Sequence, residues 1–398
     1  MDFVKLLQLA KSKGASDLHI VAGQSPLVRI DGQLVPMEEI PMLTAEEVED
    51  SLKDIATEQE RIDFQKNLEL DFGRTIPETG RVRFNAARQR GTVSFVTRLL
   101  PPTIPDIETL GVPPVCKELI LRPRGLVVIS GPTGSGKSTT LAAMIEYLNK
   151  TENRRVITIE DPIEYTYENK KCTITQRELG NDTRSFSEAL RHVLRQDPDV
   201  ILVGEMRDLE TASAAITVAE TGHLVLTTGH APSTSQAVER IINLFPSDER
   251  NLAQTRLASL LLGIMCQALI PKIDGVGRVA AIEVMLANSA VRNLIREGKS
   301  YQLPNTIRMH SQQGMELLDQ ALVRLFRSNQ ISRENVLDFC NDRDEIAKLT
   351  GEQRLWQQKP NERNDKDAWE KKSTAEKEPW QKELMPEFEA DVPVDIDG

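Results

Sequence analysis

The chain has 398 residues and a formal net charge of −11, with 39% hydrophobic and only 4% aromatic residues. At roughly 100–200 residues per domain, this length predicts two or three domains. The acidic balance argues against a protein held on nucleic acid or an anionic membrane by a general positive field, although it leaves a local basic channel open. No apolar run reaches the roughly 18 residues of a membrane span, and the chain start lacks a signal-peptide pattern. We therefore expect a cytoplasmic protein with no transmembrane segment.

The cysteines and histidines do not predict a metal site. Cys116, Cys172, Cys266 and Cys340 lie far apart and form no C-x-x-C pair. This spacing argues against a zinc ribbon and a disulfide framework, so we expect reduced and mostly buried thiols. No metal-ligand spacing joins the five histidines.

The first 100 residues predict a small α+β unit with one sheet. The Asp31-Gly32 pair between two alternating segments indicates a hairpin. Thr44 and Glu47 have the spacing of a capping box, which predicts the start of a single long helix. Helices are expected at 3–13 and 44–67, and strands at 18–21, 27–30, 33–35, 81–86 and 92–98.

The rest of the chain divides at a proline-rich segment, residues 101–114, which predicts a linker. Beyond it, aliphatic runs alternate with helical segments, a pattern typical of a parallel sheet covered on both faces. We expect helices to dominate from Asp248 to about Leu349. Residues 351–398 are charged and aperiodic, which predicts a disordered tail, either a tether or a segment that binds a partner through its tryptophans. The aliphatic runs lie at 126–129, 156–159, 200–203 and 224–226.

One segment predicts a nucleotide site. It follows the run 126–129, precedes a helical stretch and has the spacing G-x-x-x-x-G-K-S. This spacing lets successive backbone N–H groups point at a polyphosphate, with the positive end of a helix behind them. Lys137 can then reach the β- and γ-phosphates, and the Ser138 hydroxyl can ligate Mg²⁺. The segment consists of Gly131, Pro132, Thr133, Gly134, Ser135, Gly136, Lys137 and Ser138.

Carboxylates follow two of the aliphatic runs. Glu205 comes after 200–203, and Glu160 and Glu164 come at and after the end of 156–159. Ligands bind beyond the carboxyl ends of strands in such sheets, so Glu205 is a candidate for the Mg²⁺ water shell. At least one of the acidic residues should orient the attacking water. Each carboxylate taken alone could equally be a solvated strand end or a helix cap.

Histidines and arginines complete the candidate set. His223 and His230 flank the run 224–226, and His230 at least could reach the strand end where nucleotide chemistry occurs. A guanidinium from another subunit commonly neutralises transition-state charge, whereas a solvated or salt-bridged strand face is the alternative. The arginines of interest are Arg81, Arg83, Arg88, Arg90 and Arg98 in the first 100 residues, and Arg177 and Arg207 further along.

Four ordered motifs together resemble the Walker A, Asp box, Walker B and His box of the secretion ATPase superfamily. They lie at 131–140, 157–164, 197–208 and 222–230. Residues 290–295 resemble a motif of the ATPases that retract type IV pili, with Val291 in place of isoleucine. The resemblance implies an α/β fold: a PAS-like α+β N-terminal domain at 1–100, a linker at 101–114, a RecA-like P-loop ATPase domain at 115–350, and the tail.

The resemblance also implies a function. It implies a homohexameric, Mg²⁺-dependent ATPase motor that powers pilus retraction and twitching motility at the cytoplasmic face of the inner membrane. The implied partners are an inner-membrane platform protein and, as an option, a second retraction ATPase, but no nucleic acid. Two alternatives stay open: a pilus extension or type II secretion ATPase, and a weakly hydrolysing accessory retraction subunit. The absence of the four-cysteine zinc site that extension ATPases usually carry favours retraction.

By the same resemblance, individual residues receive roles. Thr139 joins Lys137 and Ser138 in holding ATP phosphates and Mg²⁺, and Glu205 acts with Mg²⁺, partly through water. Glu164, or else Glu160, polarises the attacking water. His223 and His230 sense the γ-phosphate or a subunit boundary. Arg83 and Arg98 are the N-terminal arginines that approach the nucleotide. The alternative for residues 290–295 is an ordinary amphipathic helix. Such a helix would bury Val291, Leu294 and Ile295 and leave Arg292 solvated.

Overall fold

A computed structural model of the chain describes residues 2–30, 33–100 and 103–351. Met1–Asn341 form one compact unit, and a second unit begins at Asp342. The described part of the second unit is one helix, Arg343–Thr350, whose first turn is capped by the Asp342 side chain. The predicted domain limits at 1–100, 101–114 and 115–350 stay predictions. The tail prediction concerns residues that, beyond Gly351, lie outside the described part.

Among the described residues, the N-terminal part of the first unit is built on a six-stranded antiparallel sheet with the order β3-β2-β1-β6-β5-β4. Its core includes Phe3, Phe84 and Phe95, and the Phe3 ring contacts the rings of the other two. This arrangement confirms the predicted small sheet. The elements are α1 (Phe3–Ser12), β1 (Asp17–Val21), β2 (Leu27–Ile30), β3 (Gln33–Pro36), α2 (Ala45–Ile55), α3 (Glu58–Asn67), β4 (Glu69–Ile76), β5 (Gly80–Gln89) and β6 (Thr92–Leu99).

The single helix expected at 44–67 is wrong, because two helices occupy this stretch. Ala56 is extended, and Thr57 and Glu60 form a second capping box that starts α3. The next strand, β4, was also not predicted. Its buried residues include the neighbours Phe72 and Gly73, so its burial does not alternate with the period of two that marks a strand.

The larger sheet has seven strands among the described residues, in the order β13-β12-β7-β11-β10-β8-β9. All neighbours are parallel except the edge strand β13. The elements up to β11 are α4 (Val115–Ile120), β7 (Gly125–Ser130), α5 (Lys137–Thr151), β8 (Arg155–Glu160), β9 (Thr173–Glu178), α6 (Phe186–Val193), β10 (Val200–Val203), α7 (Leu209–Glu220) and β11 (Leu224–Thr228).

Both faces of this sheet are covered. In β7, Leu126 and Val128 belong to one buried cluster, and Val127 and Ile129 belong to another. Alternate side chains of a strand point to opposite faces, so helices pack on both sides, as the aliphatic runs predict. The elements after β11 are α8 (Thr234–Asn243), α9 (Arg250–Leu260), β12 (Leu261–Pro271), β13 (Arg278–Leu286), α10 (Ser289–Arg296), α11 (Leu303–Met309), α12 (Leu318–Arg327), α13 (Arg333–Phe339) and α14 (Arg343–Thr350).

The expectation that helices dominate from Asp248 onward is wrong between residues 261 and 286. There, β12 and β13 form a long antiparallel pair, and β12 also lies parallel to β7. A fully buried strand is apolar on both faces, and its sequence cannot be distinguished from a buried helix by periodicity.

Two further expectations concern the cysteines and the membrane. All four cysteines are free, and Cys116, Cys172 and Cys266 are buried, as their spacing predicts. Within the described part of the chain, none of the helices combines the length and the apolar character that a bilayer crossing requires.

Candidate nucleotide-binding site

The loop between β7 and α5 has the backbone shape of a phosphate-binding loop. Gly131 has φ 137°, and a Cβ there would lie 2.3 Å from the Gln267 carbonyl oxygen. Gly136 has φ 87°, and its Cβ would lie 2.8 Å from Gln267 Nε2. The positive φ favours glycine at both positions, and at Gly131 a Cβ would also collide with the backbone of β12. The same strand fixes the helix behind the loop, because the Thr140 hydroxyl donates to Gln267 Oε1 at 2.8 Å.

Two polar groups of this loop are positioned for an anion. The Lys137 ammonium group donates to the carbonyl oxygens of Gly131 and Pro132, at 2.8 and 3.0 Å. Its burial lowers the pKa of Lys137, against the opposing charges of Glu205 and Glu164. The buried Ser135 hydroxyl has no hydrogen-bond partner among the described residues. Because buried polar groups are normally paired, this hydroxyl fits a loop shaped for a ligand's phosphate oxygens.

Glu205 lies beyond the end of β10, beside the loop. Its Oε1 is 2.7 Å from His230 Nε2, and its Oε2 is 2.7 Å from Arg207 Nε. The Gly204 backbone N–H donates to the Ile159 carbonyl at 2.8 Å, and the Thr228 hydroxyl donates to the Gly204 carbonyl. These bonds hold the carboxyl ends of β8, β10 and β11 together, where ligands bind in parallel sheets.

A cavity of about 470 Å³ joins most of the candidate residues. Its lining combines the loop with the carboxylates and His230 of the large sheet, and with two arginines of the small sheet. The predicted residues on it are Thr133, Gly134, Ser135, Gly136, Lys137, Ser138, Thr139, Glu164, Glu205, His230, Arg83 and Arg98.

The two arginines reach the cavity from neighbouring strands of the small sheet. Arg98 Nε donates to Asp17 Oδ1 at 2.9 Å, and Arg83 Nη2 lies 3.8 Å from Asp71 Oδ1. Burial alone would raise the pKa of Asp17, but the bonds from Arg98 and Ser16 outweigh it and lower the pKa. Asp17 is therefore the carboxylate that fixes the Arg98 guanidinium.

Some candidates lie off this lining. Gly131 and Pro132 contribute the carbonyls that hold Lys137. Glu160 accepts bonds from Thr158 Oγ1 at 2.6 Å and Gln176 Nε2 at 3.2 Å. Its burial raises the pKa of Glu160 to about 7, and the nearby Glu164 charge adds to this effect. Of the two carboxylates considered as base, Glu164 is the one on the cavity.

His223 lies just before β11 begins, at the end of this strand opposite to the phosphate loop. Its Nδ1 is 3.0 Å from Thr221 Oγ1 and 3.2 Å from the Val218 carbonyl. Within one chain, the structure therefore does not bring His223 to the phosphate loop, because His223 and His230 flank opposite ends of the same strand. Its expected place at a subunit boundary stays a prediction.

Sequence reasoning did not select several charged or polar residues that line the cavity. Asp161, Thr228 and Arg278 are among them, whereas Arg207, one of the arginines of interest, also lines the cavity. Arg207 follows Glu205 by two positions, so its closeness to that carboxylate could have been expected. Arg278 begins β13, a strand that the sequence did not predict, and no local signal marks it.

The oxygen atoms that protein side chains offer at the loop fit Mg²⁺ only together with phosphate oxygens of a nucleotide. No group of three or more His, Cys, Asp or Glu side chains in the described ranges could hold a metal ion by itself. Ser138 and Glu205 are hard oxygen donors on one cavity. Mg²⁺ is usually held by one or two such protein oxygens together with substrate phosphates and water, and these residues match that pattern.

Comparison with known proteins agrees with this geometry. Residues 2–299 match the family model described as type II/IV secretion system protein. The type IV pilus retraction ATPase PilT of Pseudomonas aeruginosa is 47% identical over 335 residues, 84% of this chain and 97% of that protein. A twitching motility protein of Neisseria gonorrhoeae is 41% identical, over 83% of this chain and 88% of its own. A crystal structure of the pilus retraction motor PilT with bound ADP superposes with a TM-score of 0.82 at 42% identity, covering 87% and 99% of the two chains.

Proposed function

Because the chain belongs to the type II/IV secretion system protein family, we propose that it hydrolyses ATP to power the retraction of type IV pili. It is an ATP hydrolase of the secretion type and binds nucleotide. Its fold class is α/β, a RecA-like P-loop ATPase fold with a smaller N-terminal part, in agreement with the matched motor structure. The similarity extends over nearly the whole length of the Pseudomonas retraction ATPase.

The observation that carries this proposal is the single cavity that combines the loop at 133–139 with Glu164 and Glu205. The loop N–H groups and Lys137 bind the β- and γ-phosphates, where negative charge develops during cleavage. Glu164 accepts a proton from the attacking water. Glu205, held between His230 and Arg207, lines the same cavity.

Mg²⁺ is part of the proposal. Bound with ATP, it would neutralise charge on the β- and γ-phosphate oxygens. Ser138 would hold it directly, and Glu205 would hold it partly through water. Arg83 and Arg98, which lie on strands of the small sheet, add positive charge to the lining of the cavity.

We also propose the assembly that the family resemblance implies. Six copies form a ring at the cytoplasmic face of the inner membrane and act on the platform protein of the pilus machine, alone or together with a second retraction ATPase. His223 is placed at a boundary between copies. A ring would allow guanidinium groups of one copy to approach the nucleotide of the next.

The test is phosphate release by the unmodified protein and by Lys137→Ala. Losing the ammonium group should slow hydrolysis by about 100-fold or more, since a group that stabilises transition-state charge contributes several kcal/mol. The matched control is Lys150→Ala near the end of the same helix, where the ammonium group pairs with Asp106 at 2.5 Å; its rate should stay within about twofold. Equal, near-zero rates for the unmodified protein and Lys137→Ala would instead favour the weakly hydrolysing accessory subunit.

The direction of the motor is tested in cells. The gene should restore twitching to a strain that assembles pili but cannot retract them, and its Lys137→Ala variant should not. If the gene instead restores pilus assembly to a strain without surface pili, the extension alternative is correct and retraction is wrong.

A further inference from the structure

One ion pair joins the small sheet to the large one. Arg81, on β5, extends to Glu178, the last residue of β9, and its Nη2 contacts Glu178 Oε2. Arg81 Nε also faces the Ile163 carbonyl oxygen at 3.4 Å. The two side chains are only 16% and 4% exposed, so water screens this pair far less than a surface pair.

The same carboxylate holds the segment that carries Glu164. Glu178 Oε2 accepts the Ile163 backbone N–H at 3.0 Å, and Glu178 Oε1 accepts Asn181 Nδ2 at 2.6 Å. Ile163 immediately precedes Glu164 in the chain. A displacement of the Glu178 carboxylate would therefore move the Ile163 backbone, and with it Glu164 on the cavity.

The small sheet leaves room for this contact. Gly73 on β4 lies beside the Arg81 guanidinium, and a Cβ at Gly73 would be 2.5 Å from Arg81 Nη2 and 3.0 Å from its Cζ. Any side chain there would push the guanidinium away from its present position. Arg81 itself is not among the residues that line the cavity of the phosphate loop.

We propose that Arg81 and Glu178 are positioning residues that orient Glu164 for hydrolysis as long as the small sheet is docked on the large one. The inference rests on the proposed ATPase function and deepens it. The charged pair fixes Glu178, and Glu178 fixes the Ile163 peptide. Attack on the γ-phosphate thereby depends on where the small sheet lies, which links the position of that sheet to the chemical step.

The experiment compares Arg81→Ala with the unmodified protein and with Arg88→Ala. Arg88 is a matched control on the same strand, because it forms a two-point pair with Glu49 of helix α2, at 2.9 and 3.0 Å, and so does not reach the large sheet. Misplacing a catalytic group by a fraction of an ångström slows chemistry without weakening binding. We expect kcat to fall about tenfold in Arg81→Ala, with KM for ATP and Kd for ADP within about twofold, and Arg88→Ala to keep its kcat.

A double-variant comparison separates positioning from general destabilisation. Glu178→Gln keeps an acceptor for the Ile163 N–H but removes the charge that attracts Arg81. If the two residues act as one unit, Arg81→Ala combined with Glu178→Gln should be about as slow as the slower single variant. Multiplied losses, or a kcat within about twofold of the unmodified protein in Arg81→Ala, would overturn the inference.

Two further outcomes are informative. If Arg81→Ala does not fold, Arg81→Lys replaces it: lysine keeps the charge but cannot reach both Glu178 and the Ile163 carbonyl, so a partial loss of kcat is expected, and an unchanged kcat would contradict positioning. If the unmodified protein does not hydrolyse ATP, the proposed function fails and this inference fails with it. Hydrolysis by the unmodified protein with an unaffected Arg81→Ala variant overturns the positioning role alone.

Discussion

Glu160 is a carboxyl group that the folded chain keeps partly protonated near neutral pH. Burial at the end of β8 raises its pKa from 4.5 to about 7, although the bonds from Thr158 and Gln176 act in the other direction. The unfolded chain loses this proton near its ordinary pKa, whereas the folded chain retains it up to about pH 7. The stabilisation is therefore present below pH 4.5 and is lost as the pH rises towards 7.

Replacing Glu160 with glutamine should remove this pH dependence. The amide oxygen of Glu160→Gln can still accept bonds from Thr158 and Gln176, and it has no charge to desolvate. We expect the variant to gain stability relative to the unmodified protein between pH 5 and pH 8, by about 3 kcal/mol at most. Thermal unfolding of both proteins at the two pH values measures this difference. A difference that does not change with pH would show that Glu160 is ionised throughout this range.

At this scale, sequence reasoning selected the phosphate loop, Glu205, Glu164 and His230 because each follows an aliphatic strand and parallel strands end at one edge. It could not choose between Glu160 and Glu164, since the difference depends on which side chain turns into the large sheet. It also could not place Arg278, which reaches the cavity only because β13 pairs with β12.

Helix α10 contains the stretch that resembles the retraction motif. Val291 and Ile295 are fully buried, as for an ordinary amphipathic helix. Arg292 is not solvated, in contrast to what an ordinary amphipathic helix predicts. Its guanidinium donates to the carbonyl oxygens of Ala258 and Ser259 at the end of α9, at 2.5 and 2.7 Å, and to that of Leu261, the first residue of β12, at 2.8 Å. The arginine thus satisfies the last carbonyls of a neighbouring helix, which have no partners within that helix.

Arg292→Ala should consequently destabilise the protein without stopping hydrolysis. Several carbonyls lose a charged donor, which costs about 1–3 kcal/mol for a partly buried group. We expect a lower melting temperature, ATP hydrolysis within about twofold at 25 °C because α10 is not on the cavity, and loss of twitching in cells. The control is Arg296→Ala on the same helix, whose guanidinium donates to Asn293 Oδ1 of that helix at 2.8 Å. If Arg292→Ala lowers hydrolysis and motility equally, the motif is merely part of the core.

Elements were predictable where one local rule dominated. The parallel strands follow from aliphatic runs between helical segments, and α2 begins at the expected capping box. The break between α2 and α3 is harder to predict, because the second capping box at Thr57 lies within a stretch whose composition still favours helix. Strand β12 is stabilised by pairing with β7, which lies more than 100 residues earlier. The residues next to β12 in the sequence therefore do not indicate that it is a strand.

The net charge of the whole molecule indicates which partners it can bind rather than which fold it has. The net charge is −11, yet Arg83, Arg98 and Arg207 stand around one cavity. Each lies near a carboxylate of the chain: Asp71 at 3.8 Å, Asp17 at 2.9 Å and Glu205 at 2.7 Å. Their positive charge is thus partly compensated at short range and is suited to the phosphates of a single nucleotide rather than to a long polyanion.

Nucleic acid should therefore not stimulate this ATPase. A track for DNA needs uncompensated positive charges in a row, since affinity comes from releasing counterions at each phosphate contacted. We expect phosphate release at about 50 mM salt to change by less than about twofold when single- or double-stranded DNA is added. The control is the same titration at about 200 mM salt, where any backbone binding would weaken steeply. Stimulation at low salt that disappears at high salt would reveal the local basic channel that the overall charge leaves open, and would favour a DNA-dependent motor over one that retracts pili.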